Sequence, residues 1–283
     1  PPRSTLFPYT TLFRSKNIIV TGGSSGIGSA LVKELLNLGA NVWVIARNED
    51  KIKELQNQLV DKHQLINYYL ADVRNLPEIE AIAHQLRQEG KVIDGLINSA
   101  GVAEPAEFGN MGIEKYHWLM DVNYFGTVHC VMAFLPLLGA GSFIVNISSI
   151  AGYLGVYGYS AYGASKYAVR GFSDILRSEL KPKNIFVSIV FPPDTQTPQL
   201  AYEEQFKPAI TKKIAGSAAV MSPEKVAHEI IKGINKKKYL IFPGFESKFF
   251  YHLSNFLGPL VYPLMDFMVS RAMKESNPKK QSD

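Results

Sequence analysis

Cysteine is nearly absent from the sequence, and neither sign of charge is in large excess. Cys130 is the single cysteine among 283 residues, which excludes an internal disulfide framework and fits a reducing, intracellular compartment. The six histidines form no HExxH motif and no Cys/His cluster, so we expect no metal site. The net charge of +5 comes without a basic stripe rich in aromatic residues, so we expect no nucleic-acid partner.

Long apolar runs are also lacking. The most apolar stretch, 248–274, is broken by Gly258, Pro259, Pro263 and Asp266, whereas a spanning helix needs roughly 20 consecutive apolar residues. The hydrophobic content of 46% is nevertheless ample for the core of a globular chain. A chain of this length fits one large domain or at most two small ones.

The first fifteen residues read PPRSTLFPYTTLFRS and have no amphipathic period. They lack the basic end, apolar run and small residues of a signal peptide. The stretch from Thr5 to Ser15 equals a translated reading frame of a common sequencing adapter. We therefore expect 1–15 to be foreign to the natural protein, the alternative being a disordered natural tail. On this interpretation the natural N-terminus is missing, with any membrane anchor that it carried.

From Lys16 onward, strand-like segments alternate with segments whose apolar residues recur at three- and four-residue spacing. Helices are predicted over 29–39, where Gly39 ends the first, and over 50–60. Seven strands are predicted, over 17–21, 41–46, 65–71, 92–98, 142–148, 185–191 and 238–242. Nearly continuous apolar strands between helices indicate a parallel sheet covered on both faces. The sequence therefore predicts one doubly wound α/β domain of the Rossmann type.

A glycine-rich turn, TGGSSGIG, follows the first predicted strand and opens a helix. Gly22, Gly26 and Gly28 permit a tight turn, close approach of the backbone to a pyrophosphate, and close packing of helix on strand. The start of the helix adds free N–H groups and a positive dipole end. Three glycines alone also occur in loops for backbone reasons, so it is the place between strand and helix that favours a dinucleotide.

The end of the second predicted strand favours NADP over NAD. An acidic residue there would bind the ribose 2′-hydroxyl of NAD, but the sequence has Arg47, with Lys51 one helical turn onward. These cations are able to hold a 2′-phosphate, the alternative being an ordinary solvated charge run. Asp72 and Val73 end the third predicted strand, and 98–101 (NSAG) end the fourth. A nucleotide ring can lie against the backbone at these points, or the chain simply turns there.

The chemistry is expected after the fifth predicted strand. Tyr162 and Lys166 are four residues apart and share one helical face, where the ammonium is expected to lower the pKa of the phenol. Ser149, at the strand end, is able to hydrogen-bond a substrate oxygen, and the amide of Asn123 to hold a relay water. Taken singly, each has a structural alternative: Asn123 as a helix-kink residue, and Ser148 with Ser149 as a capping pair.

Over about residues 16–242 the sequence resembles the short-chain dehydrogenase/reductase family. The resemblance rests on five motifs that occur in the family's order: TGxxxGIG, NxAG, the asparagine of NYFGT, the serine before the tyrosine, and YxASK. The resemblance implies an oxidoreductase that uses a nicotinamide, and a homodimer or homotetramer. It implies Tyr162 as the acid/base, with Lys166 modulating its pKa and contacting the ribose. Ser149 orients the carbonyl and Asn123 completes the relay. The residues expected to bind NADPH are Gly22, Ser24, Ser25, Gly26, Ile27, Gly28, Arg47, Lys51, Asp72, Val73, Asn98, Ala100, Gly101, Tyr162, Lys166, Pro192 and Thr195.

The segment after the sixth predicted strand bears on the substrate. It reads FPPDTQTPQL, with Pro193 where most members of the family have glycine, so the loop entrance is stiffer. Within the family, the chain resembles the enzymes that reduce the long-chain 3-keto amine 3-ketodihydrosphingosine. The resemblance rests on PPDTxTP together with VTGGSSGIG, ARNEDK and AYxASK. Two alternatives stay open: reduction of another carbonyl, such as a 3-oxoacyl group, and a redox sensor that binds NADPH without turnover.

We predict a catalytic domain over 16–244, an apolar extension over 245–274 and a disordered tail over 275–283. The extension is too interrupted to span a membrane. It can lie in a membrane interface, cover a lipid chain as a lid, or form a subunit interface or core-capping helix pair. The expected location is the cytoplasm or the cytoplasmic face of a membrane, the endoplasmic reticulum in a eukaryote, with a lipid-like substrate and peripheral membrane contact.

Overall fold

The computed structural model of the chain describes residues 12–59, 66–216 and 220–276. Within these, seven parallel strands form one sheet in the order β3-β2-β1-β4-β5-β6-β7. The strands are β1 (Asn17–Thr21), β2 (Asn41–Ala46), β3 (Ile66–Leu70), β4 (Ile93–Asn98), β5 (Leu138–Ile147), β6 (Phe186–Val190) and β7 (Leu240–Ile241). The predicted doubly wound sheet is confirmed, and the largest difference is that β5 begins earlier than expected. Val60 and Leu65, at the predicted ends of a helix and a strand, lie outside the described residues.

Helices cover both faces of this sheet. They are α1 (Gly26–Asn37), α2 (Glu49–Asn57), α3 (Leu76–Gln88), α4 (Ile113–Met120), α5 (Gly126–Phe134), α6 (Ser160–Leu180), α7 (Pro198–Glu203), α8 (Ala209–Ala215), α9 (Pro223–Asn235), α10 (Phe245–Leu257) and α11 (Val261–Ser276). A π-helical turn, Asp121–Phe125, joins α4 to α5.

The core has two layers because side chains along each strand alternate between the faces of the sheet. From β1, Ile18 and Val20 join the cluster formed with α1, α2 and α9. Ile19 faces the opposite way, into the cluster formed with α3, α5 and α6. Since every strand runs in the same direction, the carboxyl ends of the central strands meet along one edge of the sheet, where such folds bind ligands.

The described part of the opening stretch packs against the domain. Phe13 is fully buried, and its ring meets that of Phe143 edge-on at 6.2 Å. The backbone N–H of Ser15 donates to the carbonyl oxygen of Gly39 at 2.7 Å. An aromatic residue at position 13 therefore fits the core. The foreign origin of 1–15 stays a prediction, and residues 1–11 lie outside the described part.

The extension after β7 folds back over the carboxyl edge of the sheet as α10 and α11. Tyr153 donates its hydroxyl to the carbonyl oxygen of Ser247 at 2.8 Å, and the ring of Tyr251 stacks on Phe191 at 5.9 Å. α11 packs against α8. Among the described helices, none combines the length and apolar character needed to cross a bilayer.

Candidate active site

A cleft of about 560 Å³ opens at the carboxyl edge of the sheet, a size typical of small-molecule sites. Its nucleotide end, as we call it, is formed by the glycine-rich turn after β1 and by the ends of β2, β3 and β4. Its substrate end is formed by α7, α8, α10 and α11. Ser149, Tyr162 and Lys166 line the cleft between the two ends.

The glycine-rich turn has the backbone geometry that the sequence predicts. Gly22 has a φ of +66°, and a Cβ there would lie 2.7 Å from Ala100 Cα. A Cβ on Gly28 would overlap the carbonyl oxygen of Gly22. Side chains at these positions would therefore push apart β1, α1 and the loop after β4. Ser24, Ser25, Gly26 and Ile27 also line the cleft.

The loop after β4 is fastened to the end of β1. The side-chain oxygen of Thr21 accepts from the backbone N–H groups of Ser99 and Ala100, both at 3.1 Å. This brings Ala100 and Gly101 into the cleft wall. Asn98, in contrast, lies beneath the cleft and does not line it. It donates to Asn146 at 2.9 Å, and its Oδ1 accepts no hydrogen bond from the described residues.

Two cations reach the rim of the nucleotide end. Arg47 and Lys51 both line the cleft, and the Arg47 guanidinium lies 3.6 Å from the carboxylate of Asp72. Burial raises the pKa of Asp72, but hydrogen bonds from Arg74 and the charges of both arginines outweigh it and hold the pKa below its usual range. Lys51 forms no ion pair within the described part of the chain. The rim is therefore net positive, which suits a phosphate.

The predicted reaction centre is assembled where β5 ends and α6 begins. Lys166 Nζ donates to the carbonyl oxygen of Ile147 at 3.0 Å and lies 5.7 Å from the centre of the Tyr162 ring. Ser148 donates to the carbonyl oxygen of Lys166 at 3.0 Å, which holds α6 against the strand end. Ser149 caps a short 3₁₀ turn, its oxygen accepting from the N–H of Ala151 at 3.2 Å. Ser149 is thus a capping residue and a cleft residue at once.

Burial controls the protonation of this centre. It raises the pKa of Tyr162, helped by the charge of Glu203 and opposed by a hydrogen bond with Ser149. Burial also lowers the pKa of Lys166 to about 8. The net pKa of the phenol is thus raised even with Lys166 nearby, because Nζ is directed to a backbone carbonyl and both groups are desolvated. Modulation of this pKa by the ammonium stays a prediction.

Asn123 lies in the π-helical turn behind the cleft and does not line it. Its Oδ1 accepts from the N–H of Val102 at 2.8 Å, and its Nδ2 donates to the carbonyl of Val102 and to Ser165, both at 2.9 Å. Both donor positions of the amide are therefore used and Oδ1 already accepts one hydrogen bond; the part of Asn123 in a relay stays a prediction. Oδ1 lies beside Gly101, as does Lys166 Nζ. Asn123 thus fixes the backbone next to Lys166.

The loop after β6 brings Pro192 and Thr195 to the cleft, as predicted. The hydroxyl of Thr195 is turned inward and donates to the carbonyl oxygen of Pro193 at 2.8 Å. Thr197, which the sequence reasoning missed, lines the cleft beside Gly26. Its oxygen accepts from the N–H of Leu200 at 3.2 Å and caps α7. The sequence does contain a signal for this cap, because a threonine directly before a proline is typical of the start of a helix.

The substrate end is mostly apolar, and its residues come from segments that carry no family motif. The residues that α10 and α11 contribute are Glu246, Phe250, Leu253, Ser254, Leu257, Val261, Leu264, Met265 and Met268. From α7 and the turn after it come Glu203 and Lys207, both buried. None of these was predicted as a site residue, because spacing along the chain does not show which distant segment closes a cleft.

Comparison with known proteins agrees with this geometry. The family model described as short chain dehydrogenase matches residues 16–207. The chain belongs to the short-chain dehydrogenase family. The match ends within the turn after α7, so α8 to α11 lie beyond the residues that the family model matches.

Individual relatives extend the similarity. The chain is 37% identical to the 3-ketodihydrosphingosine reductase of Bos taurus, over 76% of this chain and 67% of that one. It is 36% identical to the 3-ketodihydrosphingosine reductase of Dictyostelium discoideum, over 91% of this chain and 83% of that one. A crystal structure of a short-chain dehydrogenase/reductase from Burkholderia phymatum in complex with NAD has a TM-score of 0.78 at 22% identity, covering 88% of this chain and 95% of that one. The similarity to this crystal structure shows a shared fold.

Proposed function

We propose that the protein reduces the 3-keto group of 3-ketodihydrosphingosine to the alcohol, dihydrosphingosine, with NADPH, as a step of sphingolipid synthesis. The observation that carries the proposal is one continuous cleft, in which Ser149, Tyr162 and Lys166 lie between a phosphate-suited rim and an apolar channel. The relatives bearing the name of this activity support the choice of substrate.

The nucleotide end fits NADPH. Gly22 and Gly28 leave the backbone room that a pyrophosphate needs at the start of α1, and Arg47 with Lys51 would hold a 2′-phosphate. When bound, NADPH supplies the hydride. Asp72, Val73 and the backbone after β4 would line the rest of the nucleotide. Asn98 would support this wall from beneath.

The catalytic side chains suit the direction of reduction. The raised pKa of Tyr162 keeps the proton on its phenol oxygen, from which it is donated to the substrate oxygen as the alcohol forms. Ser149 donates a second hydrogen bond to the same oxygen. Lys166, with a pKa of about 8, is mostly protonated at neutral pH and compensates negative charge near the phenol.

The substrate end fits a single alkyl chain. Phe250, Leu257, Val261 and Met268 belong to the apolar wall that α10 and α11 place across the cleft. Of the roles considered for the extension, we propose that it covers the lipid chain. An aliphatic tail in such a channel gains about 25 cal/mol for each Å² of apolar surface removed from water.

The outer face of the same two helices is aromatic and exposed. Phe245, Phe256, Tyr262 and Phe267 are each more than half exposed, at 77%, 87%, 70% and 64%. We propose that this face rests on the cytoplasmic surface of the membrane that holds the substrate. Flotation with phosphatidylcholine vesicles tests it: the wild type should float, and a Phe256→Ser variant should float less at unchanged thermal stability. The oligomeric state, a homodimer or homotetramer, stays a prediction, which the molar mass from light scattering tests.

The test of the activity uses the purified full chain with 3-ketodihydrosphingosine in mild detergent. Loss of nicotinamide absorbance is followed with NADPH and, separately, with NADH. Turnover that is faster with NADPH supports the proposal. Turnover only with a short β-keto thioester would instead assign a 3-oxoacyl reductase. Bound NADPH without turnover of any ketone would assign a binding protein.

A further inference from the structure

Glu203 is a buried carboxylate inside the candidate active site that the reduction itself does not require. It ends α7, lines the cleft and is 7% exposed. Its Oε2 accepts from the Tyr159 hydroxyl at 2.9 Å, and its Oε1 accepts from the Gln199 amide at 3.0 Å. A carboxylate has about four acceptor positions, so each oxygen retains capacity for another donor.

In the described part of the chain, no cation is bonded to the Glu203 carboxylate. Lys207 is the nearby buried lysine, and its charge acts to lower the pKa of Glu203. Its ammonium, however, lies 3.4 Å from Asp194 and also pairs with Glu204. Within the described residues, no ion pair includes Glu203. A buried carboxylate without a bound cation is unfavourable, and burial accordingly raises the pKa of Glu203. Because this carboxylate lines the cleft, its free acceptor positions point to a cation that arrives with a ligand.

Glu203 is also close enough to the reaction centre to act on both catalytic groups. After burial, its charge is the next cause of the raised pKa of Tyr162, and it partly opposes the lowering of the pKa of Lys166 by burial. The Tyr159 ring, whose hydroxyl binds Glu203, lies 5.6 Å from the Tyr162 ring. A cation next to Glu203 would therefore lie beside the ketone that Tyr162 protonates.

The proposed substrate carries a cation at that place, since its ammonium group is bonded to the carbon next to the ketone. Resting on the proposed function, we propose that Glu203 binds the 2-ammonium group of the substrate and makes the enzyme specific for amino ketones. The ammonium donates to the free acceptor positions of the Glu203 carboxylate, while the alkyl chain extends between α10 and α11. A ketone without the amino group leaves the carboxylate uncompensated and binds less well.

The test compares two ketones of one chain length, 3-ketodihydrosphingosine and 1-hydroxyoctadecan-3-one, with saturating NADPH. For Glu203→Gln, which keeps the size of the side chain, we expect kcat/KM for the amino ketone to fall about ten- to hundredfold, mostly through KM. The ketone without nitrogen makes no ion pair with the carboxylate, so we expect no comparable rise in its KM. Any effect of the lost charge on Tyr162 and Lys166 should change kcat for both ketones alike. Glu204→Gln is the matched control, because Glu204 is adjacent, about half exposed and outside the cleft lining. It should leave both ketones nearly unaffected.

Calorimetric binding of dihydrosphingosine and of octadecane-1,3-diol provides a second measurement that needs no turnover. Glu203→Gln should weaken binding of the amine about tenfold or more, whereas binding of the diol should stay the same or become tighter. Equal losses for both compounds, or none, would overturn the assignment and leave Glu203 as a support for α7. If the wild type fails to reduce the amino ketone, the proposed function fails. In that case the effect of Glu203→Gln on the affinity for the amine still tests whether Glu203 binds an ammonium group.

Discussion

The two ends of the cleft are constructed differently. The nucleotide end is a backbone structure, in which absent side chains at Gly22 and Gly28 allow β1, α1 and the loop after β4 to come together. The substrate end is a side-chain structure, assembled from α7, α8, α10 and α11. The first depends on a few local spacings, whereas the second depends on which distant helices pack together. We therefore expect substitutions at the first to disturb the fold and cofactor binding, and at the second to change substrate choice.

The largest effect is expected where the two ends meet. Tyr162→Phe removes the phenol oxygen that we propose as the proton donor, and general acid catalysis is typically worth about 10²–10⁴-fold. We expect kcat to fall by that factor while NADPH affinity, measured by fluorescence, stays within about twofold. Full activity in this variant would show that the proton comes from elsewhere.

The next effect tests whether the nucleotide end is a backbone structure. The Cβ of a Gly28→Ala variant would overlap the Gly22 carbonyl, and such overpacking typically costs about 1–3 kcal/mol. We expect thermal unfolding at lower temperature and weakened NADPH binding. Gly171→Ala is the control, because nothing lies within 4 Å of a Cβ at that exposed position of α6. It should be neutral or stabilising, by up to about 1 kcal/mol. Equal effects of the two substitutions would contradict the conclusion that the nucleotide end depends on the absence of side chains at its glycines.

The third prediction concerns pH. Burial lowers the pKa of Lys166 to about 8, below the value of about 10.4 for an unfolded lysine. Between these values the unfolded chain binds more protons, so this residue makes folding more favourable as pH rises. The free energy of unfolding of the wild type, minus that of Lys166→Met, should rise by about 2 kcal/mol from about pH 8 to about pH 10. Urea unfolding measures it, and a flat difference would mean that Lys166 is hydrated.

The smallest effect sharpens the description of the rim. Arg47→Glu replaces a cation suited to a phosphate with an acid suited to a ribose hydroxyl. We expect the ratio of kcat/KM for NADPH over NADH to fall about tenfold or more. Arg74→Gln removes a cation from the same ion-pair group but does not line the cleft, so the ratio should change little. An unchanged ratio in Arg47→Glu would contradict its assignment.

The sequence predicts the nucleotide end better than the substrate end for a physical reason. Glycine spacing, strand ends and the pair Tyr162 and Lys166 are local patterns, and the parallel sheet brings them to one edge. Asn98 was predicted to bind the cofactor and Asn123 to hold a relay water; neither lines the cleft, and both lie behind its wall. The hydrogen-bond partners that place them there are not visible along the chain. Glu203 and Thr197 were missed for the same reason. Their place follows from how α7 packs.

The position of α10 and α11 in the chain gives the protein an order of assembly. All strands and turns of the nucleotide end precede Val102, whereas the apolar wall begins only at Phe245. At a synthesis rate of about 5–20 residues per second, a ribosome exposes the first on the order of ten seconds before the second. The residues of the glycine-rich turn are thus synthesised before those of the proposed lipid channel. A bound nucleotide would be available to stabilise the turn before any substrate.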